Sequence, residues 1–95
     1  MQNLTASLER EIIEIARNCG VKRLILFGSR ARGDCHDLSD IDLAILGGDA
    51  LRFKFFLDEH AHTLLKFDVL DLASIKNTSL LRAIATDGVI LYDQT

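Results

Sequence analysis

A turn rich in small and basic residues follows the first apolar run of the chain and has the composition of an anion-binding site. The run at residues 24–27 ends at Gly28, where the lack of a side chain lets the backbone turn sharply. Ser29 adds a hydroxyl group, and Arg30 and Arg32 add two guanidinium groups within a predicted single helical turn. Because the N–H groups at the start of a helix also attract negative charge, the segment predicts binding of a phosphate.

Two aspartates lie in a second apolar stretch, residues 40–46, which alternates at its start like a β-strand. Asp40 and Asp42 are two positions apart, so their side chains project from the same face of a strand. Their negative charges repel each other, and a divalent cation between them would relieve the repulsion. Carboxylate oxygens favour Mg²⁺ or Mn²⁺ over zinc. Each piece alone is commonplace, but a charge at Asp42 inside an apolar strand requires an explanation.

The order and spacing of these residues resemble the signature of a known enzyme superfamily. Gly28 and Ser29 are followed, after ten residues, by Asp40 and Asp42, which is similar to the glycine-serine and paired-aspartate signature of the DNA polymerase beta nucleotidyltransferases. The segments GSRARG and SDIDL narrow the resemblance to the minimal nucleotidyltransferase (MNT) proteins, the antitoxins of HEPN–MNT toxin–antitoxin pairs. The resemblance covers essentially the whole chain and implies a polymerase-beta-like nucleotidyltransferase fold.

The resemblance also implies a third acidic residue and a role for each member of the site. The third acid belongs in a strand, flanked by apolar residues, which Asp68 matches; Asp71 is the weaker candidate and must point to the opposite face. The implied reaction joins a nucleotide to an acceptor hydroxyl and releases pyrophosphate, with two Mg²⁺ ions as cofactors. The catalytic and metal-binding residues are then Asp40, Asp42 and Asp68, and the residues that bind the nucleotide phosphates are Gly28, Ser29, Arg32 and Arg30.

The acceptor is implied by the resemblance alone. MNT proteins transfer AMP from ATP to a tyrosine of the cognate HEPN toxin, which predicts a protein adenylyltransferase that acts as an antitoxin. Two alternatives stay open: a binding protein that neutralises its partner by occlusion without catalysis, and nucleotidyl transfer to a hydroxyl of a small molecule. The oligomeric state is open as well, whether a monomer, a homodimer or a hetero-oligomer with the toxin.

Length and composition set limits on these functions. A chain of 95 residues suits one domain, 1–95, and 48% hydrophobic residues suffice for a modest core. The net charge of −3 argues against broad binding to nucleic acid, and no apolar run is long enough to span a membrane. Acidic residues near the N-terminus are unlike a secretion signal, so we expect a cytoplasmic protein. Cys19 and Cys35 are expected to be free thiols.

Alternating helical and strand patterns must position the site, and they predict a two-layer α/β (α+β) domain in which helices pack on a small mixed β-sheet. The predicted strands are residues 21–27, 40–46, 66–72 and 89–92, with helices before the first strand, over 50–65 and within 74–87. For the glycine turn to meet Asp40, the first two strands must be antiparallel. For Asp68 to join them, the third must run parallel to the second through a right-handed helical crossover.

The predicted helix over 50–65 has two distinct faces. One apolar stripe should pack into the core; it consists of Phe53, Phe56, Leu57, His60, Ala61 and Leu64. Leu51 and Phe55 lie roughly opposite this stripe and should face outward, either as a small partner surface or as an ordinary exposed pair.

Overall fold

The computed structural model of the chain describes residues 4–36 and 38–94, so residues 1–3, 37 and 95 of the predicted domain lie outside it. The elements in chain order are α1 (Ala6–Asn18), β1 (Arg23–Phe27), α2 (Ser29–Arg32), β2 (Ile41–Leu46), α3 (Ala50–His60), β3 (Phe67–Asp71), a 3₁₀ turn (Leu72–Ser74), α4 (Thr78–Asp87) and β4 (Val89–Asp93). Thr5, Asp49 and Asn77 precede the three longer helices, and each accepts backbone N–H bonds through its side-chain oxygen, which defines where the helix begins.

The strands form one mixed sheet in the order β3-β2-β1-β4. β1 pairs with β2 antiparallel and β2 pairs with β3 parallel, which confirms both predicted strand relationships. β4 pairs with β1 antiparallel and supplies the far edge, a pairing that the sequence patterns did not predict. Within the described residues no helix is long and apolar enough to cross a membrane.

The core lies between one face of the sheet and the α1–α3 layer. It combines Leu8, Ile12 and Ala16 of α1, Val21, Leu24 and Leu26 around β1, Ile41, Leu43 and Ile45 of β2, Phe53 and Leu57 of α3, and Phe67 of β3. Because strand side chains alternate, the residues between these, Ile25 in β1 and Asp42 in β2, belong to the opposite face. α4 packs against β1, and Gly88 at its end lies against Ile25, so α4 is on this second face.

α3 ends at His60, five residues before the predicted end. Ala61 adopts an extended conformation, and the next residue, His62, donates its N–H to Glu11 of α1 at 3.2 Å while its ring Nδ1 lies 2.7 Å from the same oxygen. This tertiary contact forms where the chain leaves the helix. The predicted core positions of His60, the last residue of α3, and of Leu64, which lies beyond it, are wrong, since both side chains are exposed.

The outward face of α3 agrees with the sequence pattern. Leu51 is 82% exposed and Phe55 is 58% exposed, as their offset from the core stripe predicts. Cys19 and Cys35 are both free, which also agrees with the prediction.

Candidate active site

The glycine turn connects β1 to the one-turn helix α2. Gly28 has φ 76° and ψ −157°, a backbone conformation that is essentially confined to glycine. Its carbonyl accepts bonds from the N–H groups of Ala31 and Arg32, both at 3.1 Å, and this closes the turn. Gly33 ends the helix with φ 89°. The predicted helical turn closed by Gly33 is thus confirmed.

The carboxylate of Asp42 lies directly against this turn. Asp42 is opposite Phe27, the last residue of β1, and a Cβ atom on Gly28 would collide with the Asp42 carboxylate. Gly28 is therefore required twice, once for its positive φ and once for the space that the carboxylate occupies.

The parallel pairing of β2 and β3 brings the third acid beside the second. Asp42 is paired with Asp68 in the register of the two strands, and Asp40 lies just before the start of β2. Asp42 is half-buried, whereas Asp40 and Asp68 are exposed. The three acids thus gather where β1 ends and where β2 and β3 begin.

The pKa of Asp42 depends on its burial and on the charged side chains around it. Burial raises the pKa of Asp42 above its ordinary value, and the negative charges of Asp68 and then Asp40 raise it further. The Arg32 guanidinium acts in the opposite direction and lowers this pKa. The structure therefore places Asp40, Asp68 and Arg32 within electrostatic range of Asp42, at the glycine turn.

The acids provide the oxygen chemistry of a magnesium site. The half-buried Asp42 and the two exposed carboxylates near it are the donor type that Mg²⁺ prefers, and a cation there would offset the repulsion on Asp42. Among the described residues, no three His, Cys, Asp or Glu side chains are already arranged to hold a metal ion. The residues fit the cofactor by type and position, and metal binding by these acids stays a prediction.

The side chains of Arg30 and Arg32 lie in different environments, although the sequence suggested that both bind phosphate. Arg30 is buried; its Nε and Nη2 donate to the carbonyl of Ser39 at 3.1 and 2.9 Å, and Nη2 also donates to the carbonyl of His36 at 3.4 Å. Arg32 is on the surface, with Nε 3.3 Å from Asp34. Arg30 therefore holds the loop that leads into Asp40, a role that the phosphate prediction missed.

A signal for this separation was present in the sequence. Residues two apart on a helix do not face each other, so Arg30 and Arg32 could not both point to the ligand from a single turn. One of them had to turn inward.

Asp71 is engaged elsewhere, as its weaker standing predicted. Its side chain accepts the N–H of Ala73 at 3.0 Å and the hydroxyl of Ser74 at 3.5 Å, so it caps the 3₁₀ turn at the other end of β3. The geometry thus favours Asp68 as the third acid.

The chain is similar to proteins of a known nucleotidyltransferase family. The sequence model of the family described as "Polymerase beta, Nucleotidyltransferase" matches residues 10–95. A protein of Methanocaldococcus jannaschii named "Putative protein adenylyltransferase MJ0604" is 36% identical over 81 residues, which cover 76% of this chain and 79% of that protein.

Solved structures show the same fold. A crystal structure of a toxin-antitoxin with AMP-PNP has a TM-score of 0.69 and 30% identity, covering 90% of this chain and 73% of that chain. A mutant of the toxin-antitoxin MntA-HpeT has a TM-score of 0.67 and 28% identity with the same coverage; in it, two aspartates two positions apart are changed to glutamate.

Replacing Gly28 with alanine should destabilise the fold strongly. Gly28→Ala imposes a disfavoured φ and drives a methyl group into the Asp42 carboxylate, for a cost of roughly 2–4 kcal/mol in the free energy of unfolding. Gly20→Ala is the matched control, because Gly20 has φ +76° but nothing within 4 Å of an added Cβ. Its cost should be about 1 kcal/mol. Urea denaturation measures both, and equal losses would contradict the close approach of Asp42.

Removing the charge of Asp42 should stabilise the protein without added nucleotide or metal. Asp42→Asn relieves the burial and repulsion that raise the pKa of this carboxyl, and should raise the melting temperature by roughly 2–4 °C, or about 0.5 kcal/mol. The gain is complete above the raised pKa of Asp42 and shrinks as the pH falls through it. It vanishes below the ordinary value of 3.8, because wild-type Asp42 is then neutral too. Asp58→Asn, at an exposed ion pair with Lys54, is the control and should not stabilise. A lower melting temperature for Asp42→Asn would show that the carboxylate is favourably held.

Arg30 and Arg32 should differ in their effect on stability. Arg30→Met leaves the Ser39 and His36 carbonyls without their buried donor and should cost roughly 2–3 kcal/mol in the free energy of unfolding. Arg32→Met removes a surface pair and should cost no more than about 0.5 kcal/mol. Unfolding in urea distinguishes them. A stable Arg30→Met variant that has lost nucleotide binding would restore the original phosphate prediction.

Proposed function

The chain belongs to the polymerase beta nucleotidyltransferase family, and from this premise we propose that it is a magnesium-dependent protein adenylyltransferase. It transfers AMP from ATP to a tyrosine of a cognate toxin of the HEPN type and acts in the cytoplasm as the antitoxin. The observation that carries the proposal is the gathering of Asp40, Asp42, Asp68 and Arg32 against the Gly28 turn.

The substrate end of the site is the glycine turn. Gly28 turns the backbone sharply at the end of β1, and the Ser29 hydroxyl at the start of α2 can donate to a phosphate oxygen. Arg32 is exposed, and its guanidinium can turn from Asp34 toward the β- and γ-phosphates, because an exposed ion pair is weak. These contacts hold ATP with its α-phosphate toward the acids.

The acids carry the transfer itself. Asp40, Asp42 and Asp68 would hold Mg²⁺, which when bound neutralises the departing pyrophosphate and makes the acceptor hydroxyl more acidic. Asp68 is exposed and accepts the proton of the tyrosine hydroxyl. The tyrosine oxygen forms a bond to the α-phosphorus, the bond from that phosphorus to the bridging oxygen breaks, and pyrophosphate leaves with the electron pair.

Two kinds of similarity support a protein acceptor. The M. jannaschii relative is named as a protein adenylyltransferase, and the structural neighbours are toxin-antitoxin proteins, one of them with AMP-PNP. The MntA-HpeT mutant changes an aspartate pair with the spacing of Asp40 and Asp42. The exposure of Asp40 and Asp68 leaves the acids accessible to a residue of another protein.

The test is intact-mass spectrometry of the protein encoded by the neighbouring gene, incubated with this protein, ATP and Mg²⁺. We expect the acceptor to gain one or more AMP units, and Asp40→Asn to slow the transfer at least about 100-fold, because a ligand of the reacting centre is lost. Asp58→Asn, an exposed aspartate on α3, should transfer at the wild-type rate.

Other outcomes decide between the alternatives. A stable complex without a mass change would favour neutralisation by occlusion. Consumption of ATP with the nucleotide appearing on a small molecule would favour nucleotidyl transfer to a small-molecule hydroxyl. Full activity of Asp40→Asn would refute the assignment of the acids to the active site.

A further inference from the structure

Two exposed leucines occupy equivalent positions beside the acids. Leu38 is three residues before Ile41, and Leu64 is three residues before Phe67; Ile41 and Phe67 are paired as the first residues of the parallel strands β2 and β3. Leu38 is 85% exposed and Leu64 is fully exposed. Neighbouring strands are about 4.8 Å apart, so the two loops enter the sheet side by side.

Each leucine is presented by a hydrogen-bonded turn. Next to Leu38, the Ser39 hydroxyl accepts the N–H of His36 at 2.8 Å, and the Ser39 N–H donates to the His36 carbonyl at 3.1 Å. The buried Arg30 guanidinium donates to the backbone carbonyls of both His36 and Ser39. Hydrogen bonds thus hold His36 and Ser39, on either side of the exposed Leu38.

The turn around Leu64 is held as well. The hydroxyl of Thr63 accepts the N–H of Leu65 at 3.1 Å, and the N–H of Thr63 donates to the carbonyl of Ala61 at 2.9 Å. His62 is tied to Glu11 of α1. This turn ends α3 early and thereby takes Leu64 out of the core stripe that the sequence pattern predicts.

The positions of Leu38 and Leu64 in the fold indicate which kind of molecule could bind to them. Asp40 follows Leu38 by two residues and Asp68 follows Leu64 by four, so each leucine lies on the loop that leads into the strand next to an acid. Because α1 and α3 cover the opposite face of the sheet, an acceptor reaches the acids from their own face or from the strand ends where these two loops lie. Single exposed leucines are ordinary, but a matched pair at the entrance to the acids suits an apolar contact.

We propose that Leu38 and Leu64 form a docking pair for the acceptor protein, which places an apolar patch on them while its tyrosine reaches Asp68. The proposal rests on the proposed adenylyl transfer and adds to it the surface that recognises the acceptor. A protein fits better than a nucleic acid, because the contact is apolar, the two loops lead to Asp40 and Asp68, and the chain has a net charge of −3. It fits better than a small molecule, because the two side chains stand on separate loops outside the acids.

The experiment compares Leu38→Ser, Leu64→Ser and the double variant with Leu51→Ser. Leu51 is the matched control, since it is an equally exposed leucine on the outer face of α3. The partner is the purified product of the neighbouring gene. Calorimetry without nucleotide gives the Kd of the complex, intact-mass kinetics give KM and kcat, and thermal melting with and without ATP and Mg²⁺ reports the fold and the nucleotide site.

The double variant should raise both Kd and KM for the partner at least about tenfold, with kcat at saturation within about twofold of wild type. Melting and the shift produced by ATP with Mg²⁺ should be unchanged, because neither side chain is buried. Leu51→Ser should match wild type in every measurement.

Failure of the docking pair and failure of the proposed function give different results. A wild-type Kd for the double variant, or equal weakening by Leu51→Ser, overturns the docking pair while transfer stands. If the wild-type protein binds the partner without transferring AMP, adenylyl transfer fails and the Kd values still judge the docking pair. If it neither binds nor modifies the partner, both proposals fall.

Discussion

The contact between Gly28 and the Asp42 carboxylate is the constraint on which the candidate site depends. A carboxylate in the middle of an otherwise apolar strand is unfavourable, as the raised pKa of Asp42 shows. It is tolerated because β1 ends opposite it at a residue without a side chain, which leaves the space that the oxygen atoms occupy. The position of Asp42 therefore depends on the turn, because a side chain at residue 28 would occupy the space of the carboxylate.

The register of the sheet then determines which other charges meet there. Since side chains alternate along a strand, a slip of one residue would send Asp42 into the core and bring Ile41 or Leu43 to the acid face. The apolar residues that flank Asp42 are fully buried under α1 and α3, so packing of the core enforces the register. The parallel pairing of β2 with β3 transmits it to Asp68. Hydrophobic burial on one face thus positions carboxylates on the other.

The parts that sequence could predict are those set by local pattern and spacing. Strand alternation and the need for the acids to meet sufficed for the β1-β2-β3 arrangement. The choice of Asp68 over Asp71 came from the family resemblance, and its catalytic role stays a prediction. The misses have tertiary causes. α3 ends early, at the point where His62 bonds to Glu11, 51 residues away in the chain, and no local pattern encodes that contact. For Arg30, the sequence suggested phosphate binding, and the structure adds a supporting role, because its buried guanidinium donates to the Ser39 and His36 carbonyls. The pairing of β4 with β1 depends on which edge the last strand reaches.

Arg30 shows how a domain this small keeps its site rigid. One buried guanidinium on the helix of the glycine turn holds the carbonyl of Ser39, the residue before Asp40. The turn proposed to bind phosphate and the first acid are therefore parts of one hydrogen-bonded unit, although seven residues separate them from the end of α2 to Asp40. Catalytic groups must be held in place by their own supporting contacts, and here that support comes from inside. Asp40 and Asp68 remain exposed. Under the proposed function, the chain itself therefore holds the site residues in place. The bound acceptor excludes water from the acids, so that recognition of the acceptor and transfer occur in the same step.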